Sequence, residues 1–476
     1  MPKSTALNEH RYLQLADSIE GHIEKNLLKV GDKLPSVRLF SEEHGVSMGT
    51  SLQAYYHLEA KGLIESRPKS GYYVRYSSHK YPEVPRMSDP ETKESPEDVG
   101  AIVSSVFNHL NDSDFIRFSL GVPAPELLPQ AKLNKAMVQA MRDLPASGTS
   151  YDPIQGNESL RRQIAKNALS WQGNLHADDI ITTAGCINAL AYCLMALTEK
   201  GDTIIVESPV YFGILQLAHS LGLQVLELPT HPVTGIALDA LRNHLQKGGI
   251  KLVLLVSNFS NPLGSCMPEE NKKEVVRLIE QYNIPLVEDD LYGDLYFGKS
   301  RPKPCKAFDQ SGLVLWCSSV SKTLVPGYRV GWVAPGRFKE QILRLKMNQS
   351  ISTNALSQQA VANFLANGRY ENHLWKLRQA LQANSLQFIR SVSEYFPEGT
   401  RVSRPQGGFM LWVELDPGMD TYELYKQALK QQISIAPGRM FTLRAQYQHC
   451  MRLSYGLLWT DRVEGALKTL GTLAKK

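Results

Sequence analysis

The chain of 476 residues is short of the features that would assign it at a glance. It has six cysteines, at 186, 193, 266, 305, 317 and 450, and none lies in a Cys-x-x-Cys pair or in a Cys/His cluster with zinc spacing. A disulfide framework and a structural zinc site are therefore not expected. Thiols scattered this thinly over a long chain fit a reducing compartment, so a cytoplasmic location is expected. Residues 1–12 are polar and contain no apolar stretch of the kind a secretory signal needs. The longest apolar runs, such as 250–256 with Lys251 inside it, are too short to span a bilayer and read as buried strands. No strong excess of one charge is present either. The net charge is +5, with 21% charged and 43% hydrophobic residues, which permits nucleic-acid binding without arguing for it.

What is present falls into three parts, 1–77, 78–112 and 113–476. In the first, Tyr12, Leu15, Ala16, Ile19, Ile23 and Leu27 share one helical face, and Gly31 is expected to end that helix. Ser36 is an N-cap for a short second helix closed by Gly45, and Ser47 caps a third that runs to Gly62. Residues 63–67 and 72–76 read as two short strands around Pro68-Lys69-Ser70-Gly71. Three helices followed by a hairpin form a winged helix-turn-helix pattern. The second part is rich in Pro, Glu and Ser and is expected to be an exposed linker up to about residue 98, with a short helix at 101–110. In the third, strand candidates at 203–207, 251–257, 285–288, 313–317 and 330–334 have helical stretches between several of them. That alternation predicts an α/β domain with a mostly parallel sheet covered on both faces. From about residue 372 a long helix and shorter strands predict a smaller C-terminal subdomain.

The stretch from Ser318 to Trp332 is the most informative. Ser319 and Ser321 precede Lys322 by three residues and by one, and Arg329 follows it by seven. A lone Lys after a strand is ordinarily a surface residue. These neighbours, however, are what an aldehyde cofactor bearing a phosphate needs: an amine, hydroxyl donors and a bidentate cation. Asp289 ends another apolar strand, where a carboxylate can face a pyridine nitrogen, and Tyr292 follows three residues on. An acidic pair in that place also serves as a helix cap. Asn261 sits in a segment that reads equally as a turn. Gly185 and Cys186 open a helix after a short strand, which suits either a phosphate or tight packing. Tyr211 follows a strand, where it can stack on a ring.

In this order and spacing the stretches resemble the fold-type I aminotransferases, across roughly residues 115–460. The Ser-Lys-x-x-x-Pro-Gly-x-Arg-x-Gly piece is the most specific. The resemblance implies that Lys322 carries pyridoxal 5′-phosphate, that Asp289 holds the ring nitrogen, and that Tyr292 and Asn261 hold the ring oxygen. Gly185, Cys186, Ser319, Ser321 and Arg329 would hold the phosphate, with Tyr211 stacked on the ring. Tyr151 looks like the tyrosine that reaches the cofactor of a second subunit, which implies a homodimer. Arg452 looks like the arginine that clamps an amino-acid carboxylate; read alone it is equally a strand-edge arginine. Two departures, Asn258-Phe259-Ser260 before Asn261-Pro262 and Leu263 in place of a common Thr, leave substrate choice open.

Leu34-Pro35-Ser36-Val37-Arg38, Gly45-Val46-Ser47, residues 54–64 and Ser70-Gly71-Tyr72-Tyr73-Val74 resemble the GntR winged helix-turn-helix. Joined to an aminotransferase-like domain, the chain resembles the MocR subfamily of GntR regulators. That implies a double-stranded DNA operator as partner. Ser47, Thr50 and Ser51 would lie at the DNA on the recognition helix, Ser36, Arg38 and Arg67 would lie close to it, and Lys69 and Gly71 would sit on the wing. Met48-Gly49 stands where an Arg commonly follows the capping Ser. Residues 1–80 carry 11 Lys and Arg against 9 Asp and Glu, so placement rather than bulk charge must carry binding. The function expected is a regulator that senses an amino acid, an amine or the cofactor itself. The alternative is a working aminotransferase with an appended DNA-binding module.

Overall fold

The computed structural model describes every residue except 1–4, 25, 26, 30, 68, 69, 76–81, 91–98, 108–113 and 476. The chain divides into two compact units, Met1–Glu83 with Leu386–Thr400, and Val84–Ser385 with Arg401–Lys476.

In the first unit, α1 (Thr5–Glu24), α2 (Val37–Glu43) and α3 (Met48–Ala60) precede a hairpin of β1 (Ile64–Arg67) and β2 (Gly71–Val74). Ala16, Ile19, Leu34, Phe40, Tyr55, Leu58, Ile64 and Val74 form its core. Both expected caps are made: the Ser36 hydroxyl accepts from the Leu39 N–H at 3.2 Å and the Ser47 hydroxyl from that of Thr50 at 3.1 Å. Gly45 and Gly62, after α2 and α3, have φ of +58° and +70°, a conformation that glycine adopts without a Cβ clash. The first helix ends earlier than its apolar face suggested. The Leu27 and Leu28 N–H groups both turn back to the His22 carbonyl, and Leu27 is 68% exposed.

The second unit is built on an eight-stranded sheet. Its order is Ile181–Thr183, Gly331–Ala334, Val314–Ser319, Leu286–Asp289, Ile250–Leu255, Thr203–Ser208, Gln224–His231, Gly235–Ile236. The five strands from Val314–Ser319 to Gln224–His231 run parallel, and the flanking pairings are antiparallel. Helices cover both faces, so the middle strands read as unbroken apolar runs. Ile204, Ile205 and Val206 are all fully buried, with Ile204 and Val206 in one core cluster and Ile205 in the other. A four-stranded antiparallel sheet, in the order Arg401–Val402, Met410–Glu414, Cys450–Ser454, Ala436–Pro437, follows the helix Arg369–Tyr395.

The expected linker is less open than its composition suggested. Pro85 and Ser88 are buried, and Ser88 exchanges hydrogen bonds with the Thr230 backbone, its hydroxyl accepting at 2.6 Å and its N–H donating at 3.2 Å. A polar segment can be tied to a strand by a hydroxyl and a main-chain N–H without any apolar pattern. Residues 91–98 of the linker lie outside the described ones, and the helix expected at 101–110 is found at Val99–Phe107. No helix among the described residues is long and apolar enough to cross a membrane, and no group of three or more His, Cys, Asp or Glu there is disposed to hold a metal.

Candidate functional site

The parallel strands deliver their carboxyl ends to one place, as open α/β sheets do. Asp289 ends one strand, Ser319 ends the next, and the turn after Ser319 carries Ser321 and Lys322. The antiparallel pairing of Ser319 with Gly331 brings Arg329 back over the same edge. A cavity of about 1400 Å³ opens there. Lys322, Asp289, Tyr292, Asn261, Arg329 and Arg452 line it, together with Cys186, Tyr211, Ser319 and Ser321.

Glycine is required at the phosphate end. Gly185 has φ of +95°, and a Cβ there would stand 2.3 Å from the Arg329 guanidinium. A Cβ on Gly331 would in turn stand 2.5 Å from the Gly185 carbonyl carbon. The helix Cys186–Leu197 begins against that arginine, and its N-cap, Gly185, offers no side-chain acceptor. An uncapped helix start beside a guanidinium is an anion site. Arg329 donates to the Ala184 carbonyl at 3.0 Å and to the Ser321 hydroxyl at 3.5 Å, while Ser319 accepts from the Ser321 N–H at 3.1 Å. Tyr211 is held beside this edge, its ring within 2.4 Å of where a Gly213 Cβ would stand.

At the other end Lys322 donates to the Gly121 carbonyl at 2.5 Å. Burial first, then the Arg452 cation, pulls its pKa down to about 8 against the pull of Asp289, so at pH 7 about a tenth of the amine is uncharged. Burial lifts Asp289 to about 6. Its Oδ1 accepts from the Leu291 N–H at 3.1 Å and from the Cys186 thiol at 3.3 Å. Tyr292 is buried and lines the cavity beside Asn261. Arg452 is 2% exposed; its Nη1 donates to Asn261 Oδ1 at 3.1 Å and its Nη2 to the Ser119 carbonyl. Its Nε has no partner, and burial pulls its pKa down to about 10. A buried guanidinium that lines a cavity is a receptor for a carboxylate.

These residues fit pyridoxal phosphate. The Gly185 cradle and the uncapped helix suit its phosphate, Asp289 its ring nitrogen, Tyr292 and Asn261 its ring oxygen, and Lys322 its aldehyde. When bound, that group supplies an electron-withdrawing ring; everything else is done by the side chains named here. Tyr151 is not among the residues lining the cavity and is 80% exposed. Three features left no trace in the sequence: the Gly121 carbonyl on Lys322, the Phe441 ring 5.3 Å from the Arg452 guanidinium, and the Cys186 thiol on Asp289. A backbone acceptor or a packing ring has no residue-type signature.

In the first unit, two of the residues expected at the DNA turn inward. Thr50 and Ser51 are 2% and 0% exposed, and the Thr50 hydroxyl is 2.8 Å from that of Ser47. This corrects their placement on the DNA side, since helical phase puts them toward the core while Ser47, Met48 and Gly49 stay outside it. The Ser36 hydroxyl is engaged as a cap. The Arg38 side chain is 80% exposed and pairs with Glu42 at 3.1 Å. Arg67 pairs with Glu65 at 2.8 Å and lies over the Tyr73 ring at 4.3 Å. Gly71 opens β2 with φ of +105°, and Lys69 lies outside the described residues.

Residues 114–470 match the family of class I and II aminotransferases, and residues 11–74 match the gntR family of bacterial regulatory proteins. The chain is 37% identical to the HTH-type transcriptional regulator YjiR of Escherichia coli, over 97% of this chain and 98% of that one. It is 36% identical to YdcR, named as another HTH-type regulator of that organism, over 98% and 99%. Among solved structures it resembles the α-aminoadipate aminotransferase LysN from Thermus thermophilus, complexed with N-(5′-phosphopyridoxyl)-L-leucine. That likeness has a TM-score of 0.73 at 26% identity and covers 79% of this chain and 96% of the other.

Proposed function

The chain belongs to the MocR type of GntR regulators, a GntR DNA-binding domain ahead of a class I and II aminotransferase domain, and on that premise we propose that its large domain holds pyridoxal 5′-phosphate on Lys322 and senses an amino acid, an amine or the cofactor itself. The observation that carries the reading is Arg452, a buried cation that lines the same cavity as Lys322, an amine whose pKa burial lowers to about 8. An amino acid presents both groups such a site would engage, an amine to exchange with Lys322 and a carboxylate for Arg452. Its binding would bias the large domain toward one arrangement, and reciprocity requires that operator binding change the affinity for it in turn.

A homodimer goes with this reading, because the exposed Tyr151 would reach the cofactor phosphate of the partner subunit. A cytoplasmic location goes with it as well. A purified holo-protein carrying Lys322→Ala should lose the visible absorbance of the lysine-bound cofactor. An unchanged spectrum would overturn the assignment.

Turnover as an aminotransferase is the second reading. It is favoured by the completeness of the set, with Lys322, Asp289, Tyr292, Asn261 and Arg329 all lining one cavity. Multiple conversions of amino acid to keto acid per chain would support it. A single spectral change without release of product would favour the sensor.

A further inference from the structure

The DNA-facing end of α3 carries an unusual chemistry for reading bases. In helix-turn-helix proteins the first residues of the recognition helix meet base edges in the major groove. Here that helix, Met48–Ala60, contains no Lys and no Arg. Thr50 and Ser51 are buried. The hydroxyl of Ser47 accepts from the Thr50 N–H and so is engaged in the cap. Gly49 brings no side chain, and only the Ser47 Oγ, at 3.7 Å, lies near the place its Cβ would take. The side chain most open to solvent at the start of the helix is the thioether chain of Met48, 56% exposed, while Leu52 and Gln53, a turn further on, are half-buried. Leu39, on α2, is exposed by 47%.

An apolar chain cannot make the bidentate contact by which arginine or lysine reads guanine. The one apolar group that base pairs present in the major groove is the C5-methyl of thymine. We propose that Met48 is a specificity-determining residue that packs on a thymine methyl and sets a thymine preference at one position of each site the chain binds. Gly49 beside it lets the helix backbone come close to the groove. Arg38 and Arg67, both outside α3, then serve the phosphates and fix the register. The inference rests on the DNA-binding reading of the first unit and adds to it the base that is read.

The test uses the full-length holo-protein. Sequences are selected from a random duplex library, and each thymine of the selected site is then replaced in turn by deoxyuridine, which removes only the methyl. Deoxyuridine at the position Met48 reads should weaken binding about fourfold, the worth of one buried methyl. Met48→Ala should abolish that sensitivity, and Met48→Arg should move the selected base at the same position to guanine. The deoxyuridine arm leaves the protein untouched, so it decides the matter even if a variant folds badly. The proposal fails if no thymine-to-deoxyuridine change weakens the unaltered protein, or if Met48→Ala keeps both the selected base and the methyl sensitivity. Enrichment of no sequence at all would instead overturn the regulator reading on which it stands.

Discussion

Replacing Arg452 by Met should weaken amino acids and spare amines. The substitution keeps a long apolar stem in a site that is 2% exposed and removes the guanidinium. In the chain as folded that guanidinium gives one N–H of Nη1 to Asn261 and one of Nη2 to the Ser119 carbonyl, so each Nη keeps a second N–H, while Nε is buried without a partner. An incoming carboxylate would accept from one or two of the remaining Nη N–H groups. Each hydrogen bond to a charged group is worth about 1.5–3 kcal/mol. Because the carboxylate also sheds its water, the net gain is about 2–4 kcal/mol, or roughly 30- to 1000-fold in affinity. An amine of the same skeleton, lacking the carboxylate, should lose almost nothing. The assay is a spectral titration of holo-protein with paired ligands, an amino acid and its decarboxylated amine, before and after the substitution. Equal losses for both ligands would mean that Arg452 holds the site together rather than the carboxylate. No loss for either would remove it from recognition altogether.

Gly185→Ala should cost the chain its cofactor while leaving DNA binding in place, because the new Cβ would stand 2.3 Å from the Arg329 guanidinium at φ of +95°. A backbone held in that glycine-only region alone costs about 1–3 kcal/mol, so retention measured by equilibrium dialysis should fall at least roughly fivefold, and unchanged retention would refute the cradle. Capture of added pyridoxal phosphate by the apo-protein should speed up as pH rises through about 8, the lowered pKa of Lys322, since the ammonium gives way to the free amine there. A midpoint near the ordinary lysine value of 10.5 would show that burial and Arg452 do not act on it. Arg38→Ala should weaken operator binding in footprinting and lower the slope of affinity against salt by about one, as for a lost phosphate contact, with the selected sequence unchanged.

The sequence by itself determined much of this protein. Ser36 and Ser47 announce two helix starts because a short hydroxyl before an apolar repeat satisfies the first N–H groups of a helix wherever it occurs. The apolar runs at 203–207, 251–257 and 285–288 declare buried parallel strands, because only a strand covered on both faces is apolar at nearly every residue. Ser319, Ser321, Lys322 and Arg329 are close in the chain, so their spacing carries the phosphate and amine chemistry before any folding is known.

Contacts between distant segments were decided only by tertiary structure. Whether Arg452 is a strand-edge arginine or a buried receptor depends on Asn261 and Ser119, 191 and 333 residues away. The thiol of Cys186 meets Asp289 across 103 residues for the same reason. Ser88 ties itself to Thr230 through its hydroxyl and its backbone N–H, across 142 residues, which composition does not encode. Thr50 and Ser51 have the right chemistry for DNA, but the phase of α3 against the rest of its unit turns them inward and leaves Met48 outside. A residue's type sets the chemistry it offers, and which group meets a ligand depends on the face that packing leaves exposed.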